Sequence, residues 1–160
     1  MSENNSKTAT IIGAGLAGSL WSIYLAQAGY KVTIFERRQD IRKAEISAGK
    51  SINLALSTRG WTAMKAVGIE KEIEPLAIPM TGRIMHSLEG ELTYQPYGEE
   101  GQAINSVSRG GINAKMMDLA ENTGNATILY NHKCVDVEFE TGTVHIENSK
   151  TGETFKHTAD

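Results

Sequence analysis

The stretch Thr8–Glu36, TATIIGAGLAGSLWSIYLAQAGYKVTIFE, decides the fold of this chain. Thr8–Ile12 is a short apolar run with β-branched residues, which predicts a buried strand. Glycines follow at once in G-x-G-x-x-G spacing, and an Ala- and Leu-rich segment then predicts a helix over 16–28 that ends at a glycine. Lys31–Phe35 predicts a second strand, and the acidic residue Glu36 ends it. Strand, turn, helix, strand and acid together are typical of a dinucleotide-binding β-α-β unit.

Each residue of this motif has a physical reason. Gly13 permits a tight turn, Gly15 lets the backbone approach a pyrophosphate, and Gly18 lets the helix lie close to the sheet. The positive end of the helix then faces the phosphates. Glu36 can accept hydrogen bonds from both hydroxyls of a ribose, and it would repel a 2′-phosphate.

A membrane span is the rival interpretation of the same segment, because no charged residue lies between Lys7 and Lys31. Gln27, several Ser and Thr residues and four glycines are against that interpretation, so we expect no membrane segment in this chain. Residues 1–7 start with the polar MSENNS, which lacks the charged flank of a signal peptide and predicts a frayed tail.

Composition indicates a soluble globular chain. The length of 160 residues suggests one domain, and 40% of the residues are hydrophobic and 22% charged. The net charge of −3 offers no general attraction to nucleic acid, so we expect no nucleic-acid partner. Cys134 is the only cysteine, which excludes internal disulfides and cysteine-cluster metal sites and fits a cytoplasmic location. The four histidines have no ligand spacing, so no metal site is predicted.

The rest of the chain departs from a simple alternation of strands and helices. Residues 80–97 hold two extended runs around a glycine, which predicts a β-hairpin that extends out of the nucleotide domain. Arg109–Asn122 predicts a helix, and Ala126–Tyr130 predicts a strand that joins the parallel sheet. Alternating segments from Lys133 onward predict an antiparallel meander. The expected fold class is α/β, a Rossmann-like βαβ core with a parallel sheet, an antiparallel β-meander and a hairpin.

The region between the core and the hairpin is less regular. Ser51–Leu56 is a short apolar run that would cross the bottom of a ligand groove. A short helix over 61–67 follows, and a second helical segment extends to Glu74, because Pro75 and Pro79 then break it.

Four segments of the chain carry a resemblance to a known family. They are GKSINLALSTRGW (Gly49–Trp61), GR before the hairpin (Gly82-Arg83), QPYG (Gln95–Gly98) and INSVSR (Ile104–Arg109). In order and spacing they resemble the FAD-dependent aromatic hydroxylases, the family that includes para-hydroxybenzoate hydroxylase, and within it the members that act on L-kynurenine. The resemblance covers essentially the whole chain after the tail.

The resemblance implies FAD rather than NAD in the first βαβ unit. The residues that it assigns to FAD are Gly13, Gly15, Ala17, Gly18, Phe35, Glu36, Arg37, Arg38, Ala55, Arg109 and Cys134. Within that set, the three glycines and Ala17 would hold the pyrophosphate, and Glu36 the adenosine ribose. Phe35, Arg37 and Arg38 would lie along the adenosine half, and Cys134 would contact FAD through its backbone.

The resemblance also implies a substrate and a reaction. Arg83 and Tyr97 match the pair that binds the amino-acid carboxylate of the substrate, and a guanidinium and a phenol are suitable donors for it. From spacing alone, Arg83 would be an exposed hairpin residue and Tyr97 a packing aromatic. The implied reaction is hydroxylation of L-kynurenine to 3-hydroxykynurenine, with NADPH as co-substrate and O₂. No catalytic side chain is assigned, because the cofactor does the redox chemistry.

The family pattern continues beyond Asp160. The resemblance therefore implies that residues 8–160 are the truncated N-terminal part of an FAD-binding domain, with residues 80–97 contributing to the substrate-binding region. We expect these residues to be inactive alone and to self-associate through exposed apolar surface. Two alternatives stay open: another FAD- or NAD-dependent oxidoreductase with the same βαβ unit, and a non-catalytic module that only holds a dinucleotide.

Overall fold

The computed structural model describes residues 7–43 and 52–159. The predicted tail over 1–6, the start of the apolar run at Ser51 and the last residue, Asp160, lie outside the described residues. Two compact units make up the chain, residues 1–48 with 113–160 and residues 49–112. In chain order the elements are β1 (Thr8–Ile12), α1 (Leu16–Gln27), β2 (Lys31–Glu36), β3 (Asn53–Leu56), α2 (Thr58–Ala66), α3 (Glu70–Ile73), β4 (Ala77–Met80), β5 (Gly82–His86), β6 (Leu92–Pro96), β7 (Ile104–Ser108), α4 (Arg109–Asn122), β8 (Ala126–Tyr130), β9 (His132–Glu138), β10 (Thr143–Asn148) and β11 (Thr154–Thr158).

The first unit is built on a parallel sheet of order β1-β2-β8. β2 is the central strand: its Ile34 pairs with Ile11 of β1 and with Ile128 of β8, and all three side chains are buried. α1 packs against β1 and β2 and buries Ile23, while α4 buries Met116. β-branched residues suit such a pleated surface, which is covered by helices in parallel sheets. The predicted parallel βαβ core and its added strand are confirmed.

The antiparallel meander has the order β11-β10-β9 and completes the first unit. Phe35 of β2 is buried in one apolar cluster with Val144 and Ile146 of β10. The rings of His132 and Phe155 lie at 6.1 Å and 6.0 Å from the Phe35 ring, measured between centroids. The meander therefore shares its apolar face with the central strand of the parallel sheet.

The second unit contains an antiparallel sheet of order β3-β7-β4. Pro75 and Pro79 were expected to break a helix that extends to Glu74; α3 ends at Ile73, and Pro79 lies within β4, a strand that was not predicted. β4 is an edge strand that pairs only with β7 in the described sheet, and an edge strand tolerates a residue without an N–H. Pro75 does end α3, since the segment Glu74–Leu76 is a 3-10 turn.

The predicted hairpin is formed by β5 and β6, which make a two-stranded antiparallel sheet. Ile84 lies opposite Tyr94, and His86 lies opposite Leu92. All of these side chains are exposed. Within residues 7–43 and 52–159, every helix is too short or too polar to cross a membrane.

Candidate dinucleotide site

The glycine turn, residues 13–18, follows the carboxyl end of β1. Gly13 has φ of 95°, a backbone conformation that favours glycine, and its N–H donates to the Phe35 carbonyl of β2 at 2.8 Å. A Cβ at Gly18 would collide with the carbonyl oxygen of Gly13. Gly18 is therefore required so that α1 can lie against the turn, as the motif predicts.

The outer side of the glycine turn is open. Among residues 7–43 and 52–159, no atom beyond the adjacent residues lies within 4 Å of a Cβ built at Gly13 or Gly15. Gly15 is the N-cap of α1, and no side chain of the residues that the structure describes caps this helix. By contrast, α4 is capped by Ser108, whose Oγ accepts from the Gly111 N–H at 3.2 Å. The first N–H groups of α1, including that of the exposed Ala17, are thus available to an anion.

Glu36 ends β2 beside this turn, and its carboxylate is bonded on both oxygens. Oε2 accepts from the Ala14 N–H at 2.9 Å, and Oε1 accepts from the backbone N–H and the Nε of Arg38, each at 2.9 Å. The residue is only 4% exposed. Burial raises the pKa of Glu36, but the hydrogen bonds from Arg38 and Ala14 outweigh burial and leave the pKa below its usual value. The acid is therefore held charged.

The hydrogen bonds of Glu36 limit how a ribose can bind. A carboxylate offers about four acceptor positions, and Ala14 and Arg38 occupy three of them. One ribose hydroxyl could be added as the site stands, and a second needs one of these bonds to open. The Arg38 side chain is 56% exposed, so its Nε is the donor that can leave at the lowest cost. The sequence alone did not indicate this competition.

Three more predicted FAD residues lie in the first unit. The Phe35 side chain is 1% exposed and is enclosed in the apolar cluster with β10, so a contact between its ring and a ligand disagrees with its burial. Phe35 instead contributes the carbonyl that fixes Gly13. Arg37 is exposed. The Cys134 Sγ donates to the Asp136 carbonyl at 3.4 Å, so its thiol is engaged locally, and Cys134 itself pairs with Ile146 of β10.

The other predicted residues belong to the second unit. Ala55 is exposed on β3 and pairs with Ser106, and Arg109 is the exposed first residue of α4. On the hairpin, Arg83 pairs with Gln95, and Tyr97 follows the last residue of β6, with its N–H donating to the Thr81 carbonyl at 2.9 Å. The Nε of Arg83 donates to Gln95 Oε1 at 2.8 Å. This bond leaves the two terminal nitrogens of the guanidinium for another acceptor.

Two side chains of the first unit, those of Arg42 and Asn113, belong to no sequence motif and were not predicted to matter. Arg42 donates to the carboxylates of Asp40, Asp118 and Glu121 and to the Tyr130 hydroxyl, at 2.6–2.9 Å. It thereby ties the loop after β2 to α4 and β8, and its hydrogen bond holds the pKa of Asp40 below the usual value. Asn113 of α4 donates to the Ala14 carbonyl at 3.2 Å. Both contacts join distant parts of the sequence, so no local pattern predicts them.

The chain is similar in sequence to a known domain family and to several characterised proteins. Residues 6–160 match the family described as FAD binding domain. A kynurenine 3-monooxygenase of Myxococcus xanthus is 49% identical over 154 residues, which are 96% of this chain and 33% of that protein. A kynurenine 3-monooxygenase of Sus scrofa is 42% identical over 134 residues, which are 84% of this chain and 28% of that protein. The chain spans about a third of the length of these relatives.

Solved structures share the fold. The flavin-dependent monooxygenase PieE, in complex with FAD and substrate, superposes with a TM-score of 0.78 at 16% identity, over 96% of this chain and 29% of that one. The flavin-dependent halogenase CmlS superposes with a TM-score of 0.72 at 17% identity, over 98% of this chain and 28% of that one. At these identities the likeness concerns the fold alone.

Proposed function

The chain belongs to the FAD-binding domain family, and on that basis we propose that it serves an FAD-dependent monooxygenase that converts L-kynurenine to 3-hydroxykynurenine with NADPH and O₂. The observation that carries the cofactor assignment is the hydrogen bond between the Ala14 N–H and Glu36, because it joins a charged acid to a glycine turn that is open on its outer side. The kynurenine-hydroxylating relatives supply the proposed substrate.

In this proposal the glycine turn holds the pyrophosphate of FAD. Gly13 and Gly15 leave space for it, and the N–H groups at the uncapped start of α1, where Ala17 and Gly18 lie, donate to it. Gly18 acts indirectly, since it allows the helix to approach the turn. The open side of the turn and the absence of a side-chain cap on α1 both fit a ligand with a negative charge.

Glu36 binds the adenosine ribose in this proposal. As the ribose enters, the Nε of Arg38 leaves Oε1, while the Ala14 N–H keeps Oε2 in place. Arg37 and the released Arg38 side chain then lie along the adenosine half, where a guanidinium can stack on adenine or pair with a phosphate. For Phe35 and Cys134 the proposed contact is through the backbone, and for Ala55 and Arg109 the assignment to FAD rests on the family resemblance alone.

The same acid argues against NADPH as the resident dinucleotide. NADPH carries a 2′-phosphate, and a buried charged carboxylate at the ribose position repels it. We therefore assign NADPH the role of a co-substrate that acts without occupying the glycine turn. FAD, when bound, supplies the redox chemistry between NADPH, O₂ and the aromatic ring.

Arg83 and Tyr97 bind the amino-acid carboxylate of L-kynurenine in this proposal. Both are exposed on the hairpin, and Gln95 holds the Nε of Arg83 so that both terminal nitrogens can donate to one carboxylate. Residues 80–97 are accordingly the part of the chain that we assign to the substrate. The exposure of both hairpin faces supports the further proposal that the 160 residues alone do not catalyse hydroxylation and that they self-associate through Ile84, Leu92 and Tyr94.

A titration with FAD tests the cofactor assignment, with NAD and NADPH as competitors. We expect saturable quenching of flavin fluorescence and no displacement of FAD by either nicotinamide dinucleotide. Failure to bind FAD, or equal binding of NAD, would contradict the proposal. In the same samples, L-kynurenine is expected to bind the wild type and not Arg83→Ala, with Arg59→Ala on α2 as the matched exposed control. Equal binding by both variants would remove the assigned role of Arg83.

An activity assay separates the proposed monooxygenase from a non-catalytic dinucleotide-binding module. A kynurenine 3-monooxygenase that spans the full length of the relatives is the positive control, and the 160-residue chain is expected to show no kynurenine-dependent NADPH oxidation. Formation of 3-hydroxykynurenine by the 160 residues would contradict the proposed inactivity. Light scattering of the same sample tests self-association, for which a monomer at all concentrations is the contrary result.

A further inference from the structure

We propose that Asn113 is a positioning residue of the dinucleotide site: its amide turns the Ala14–Gly15 peptide so that the Gly15 N–H points out of the glycine turn as a donor to the pyrophosphate. This inference rests on the function proposed above. It adds a residue that lies outside the motif and reaches the turn from another helix.

The contact between Asn113 and the glycine turn is buried. Asn113 is 7% exposed on α4, and its Nδ2 donates to the Ala14 carbonyl oxygen at 3.2 Å across 99 positions of the chain. Because a carbonyl can only accept, the amide nitrogen must face it. Ser19 Oγ donates to the same oxygen at the longer distance of 3.3 Å. The inward direction of the Ala14 carbonyl is thus set by two buried donors.

Peptide geometry converts this contact into an orientation of the next N–H group. The Ala14 carbonyl and the Gly15 N–H belong to one peptide, and a planar trans peptide points them in opposite directions. Since the carbonyl points to the buried amide of Asn113, the Gly15 N–H points away from it. A Cβ at Gly15 would meet no atom of the described part of the chain within 4 Å, apart from its own neighbours, so this residue borders the open side of the turn. Glycines on both sides of Ala14 give the turn little stiffness of its own.

The hydrogen bonds of Asn113 itself agree with a role as donor. Its second N–H lies on Met117 Sδ at 3.6 Å, whereas its Oδ1 is buried and has no partner among the residues that the structure describes. An unpaired buried acceptor costs free energy, and a leucine of similar size would avoid that cost. What the amide provides that leucine lacks is the hydrogen bond to Ala14.

Binding of ADP and of adenosine to Asn113→Leu tests the inference, since only ADP carries the pyrophosphate. Displacement of FAD gives both affinities. We expect the affinity for ADP to fall about tenfold and that for adenosine to be unchanged. Asn122→Leu, at the exposed end of the same helix, is the matched control and should equal the wild type for both ligands. Equal losses for ADP and adenosine, or no loss for ADP, would overturn the inference.

A measurement without ligand keeps this test separate from the proposed function. The carbonyl ¹³C resonance of Ala14 reports its hydrogen bond, so Asn113→Leu should shift it and Asn122→Leu should not. If the wild type binds neither FAD nor ADP, the proposed function fails, and an unshifted Ala14 resonance would independently overturn the positioning role. Asn113→Ser, which shortens the side chain and removes the amide, replaces the leucine variant if that variant does not fold, with the same expected results.

Discussion

The glycine turn and the hairpin differ in how firmly the chain holds the side chains that each contributes. At the glycine turn, buried groups from four elements fix one another: β1 and α1 frame the turn, Glu36 comes from β2, and Asn113 comes from α4. On the hairpin, Arg83 and Tyr97 are exposed, and the bond from Gln95 is an exposed contact between side chains. The proposed cofactor site thus lies in the core of the first unit, whereas the proposed substrate residues lie on the exposed hairpin, Arg83 within β5 and Tyr97 just after β6.

The largest expected effect is the loss of stability on substitution of Gly18, whose position leaves no room for a Cβ. Gly18→Ala places a Cβ against the Gly13 carbonyl oxygen, and we expect the free energy of unfolding to fall by about 3 kcal/mol. Gly15→Ala is the control, because its φ of −76° and its open surroundings accept a methyl group. We expect it to change stability by less than about 0.5 kcal/mol and yet to weaken FAD binding. Urea unfolding followed by circular dichroism and FAD titration give the two quantities.

Equal stability of the two alanine variants would break the distinction between a glycine needed for packing and a glycine needed for the ligand. Unchanged FAD affinity in Gly15→Ala would show that the ligand does not approach that backbone.

The next largest effect is expected for the ion pairs by which Arg42 joins the loop after β2 to α4. Arg42→Ala leaves the buried Asp40 without its ion-pair partner, and we expect a loss of about 2 kcal/mol, below the value for fully buried pairs because Arg42 is 20% exposed. Arg37→Ala, at an exposed position of the same loop, should change stability little. Thermal unfolding of the two variants checks this. Similar melting temperatures for both would mean that the Arg42 cluster does not stabilise the unit.

A smaller effect is expected on the stability of the fold at low pH. Lys156 and His145 donate to Glu138 at 2.7 Å each, and together they lower the pKa of Glu138 to about 2. Because the pKa is lower in the folded state, the stabilisation is complete above the ordinary value of 4.5 and is lost as the pH falls toward about 2. Glu138→Gln should therefore flatten the decline of the urea midpoint in this range, and Lys156→Met should flatten it partly. A decline as steep as that of the wild type in both variants would contradict this assignment.

The smallest effect on stability is expected on the hairpin. Arg83→Ala and Tyr97→Phe remove exposed groups, so each should change the free energy of unfolding by less than about 0.5 kcal/mol. Thermal unfolding with wild type alongside is sufficient to check this. If either variant lost as much free energy of unfolding as Arg42→Ala, these hairpin side chains would contribute to stability as the buried groups of the first unit do. The distinction between the two regions would then be wrong.

Local features of the fold were predictable from sequence. The βαβ unit can be predicted from Thr8–Glu36 alone, because its strands, glycine turn and helix are determined by neighbouring residues. The alternation after Lys133 likewise predicts the meander. β4 was missed because Pro79 was interpreted only as a helix breaker, and the pairing with β7 shows that it lies in an edge strand.

The interior of the candidate site was less predictable. Glu36 was found from its position after β2, but its bonds to Ala14 and Arg38 depend on the fold of the turn. Phe35 was assigned to the cofactor, and its burial against Val144 depends on a strand more than a hundred positions away. Asn113 reaches Ala14 across 99 positions, so nothing in its own helix distinguishes it from a surface asparagine.

A crystal structure of the chain soaked with FAD tests the central claim most directly. We expect the adenosine ribose within hydrogen-bonding distance of the Glu36 carboxylate, the Arg38 Nε withdrawn from Oε1, and the pyrophosphate at the start of α1. A structure in which Glu36 keeps all its present bonds and FAD lies elsewhere would contradict it.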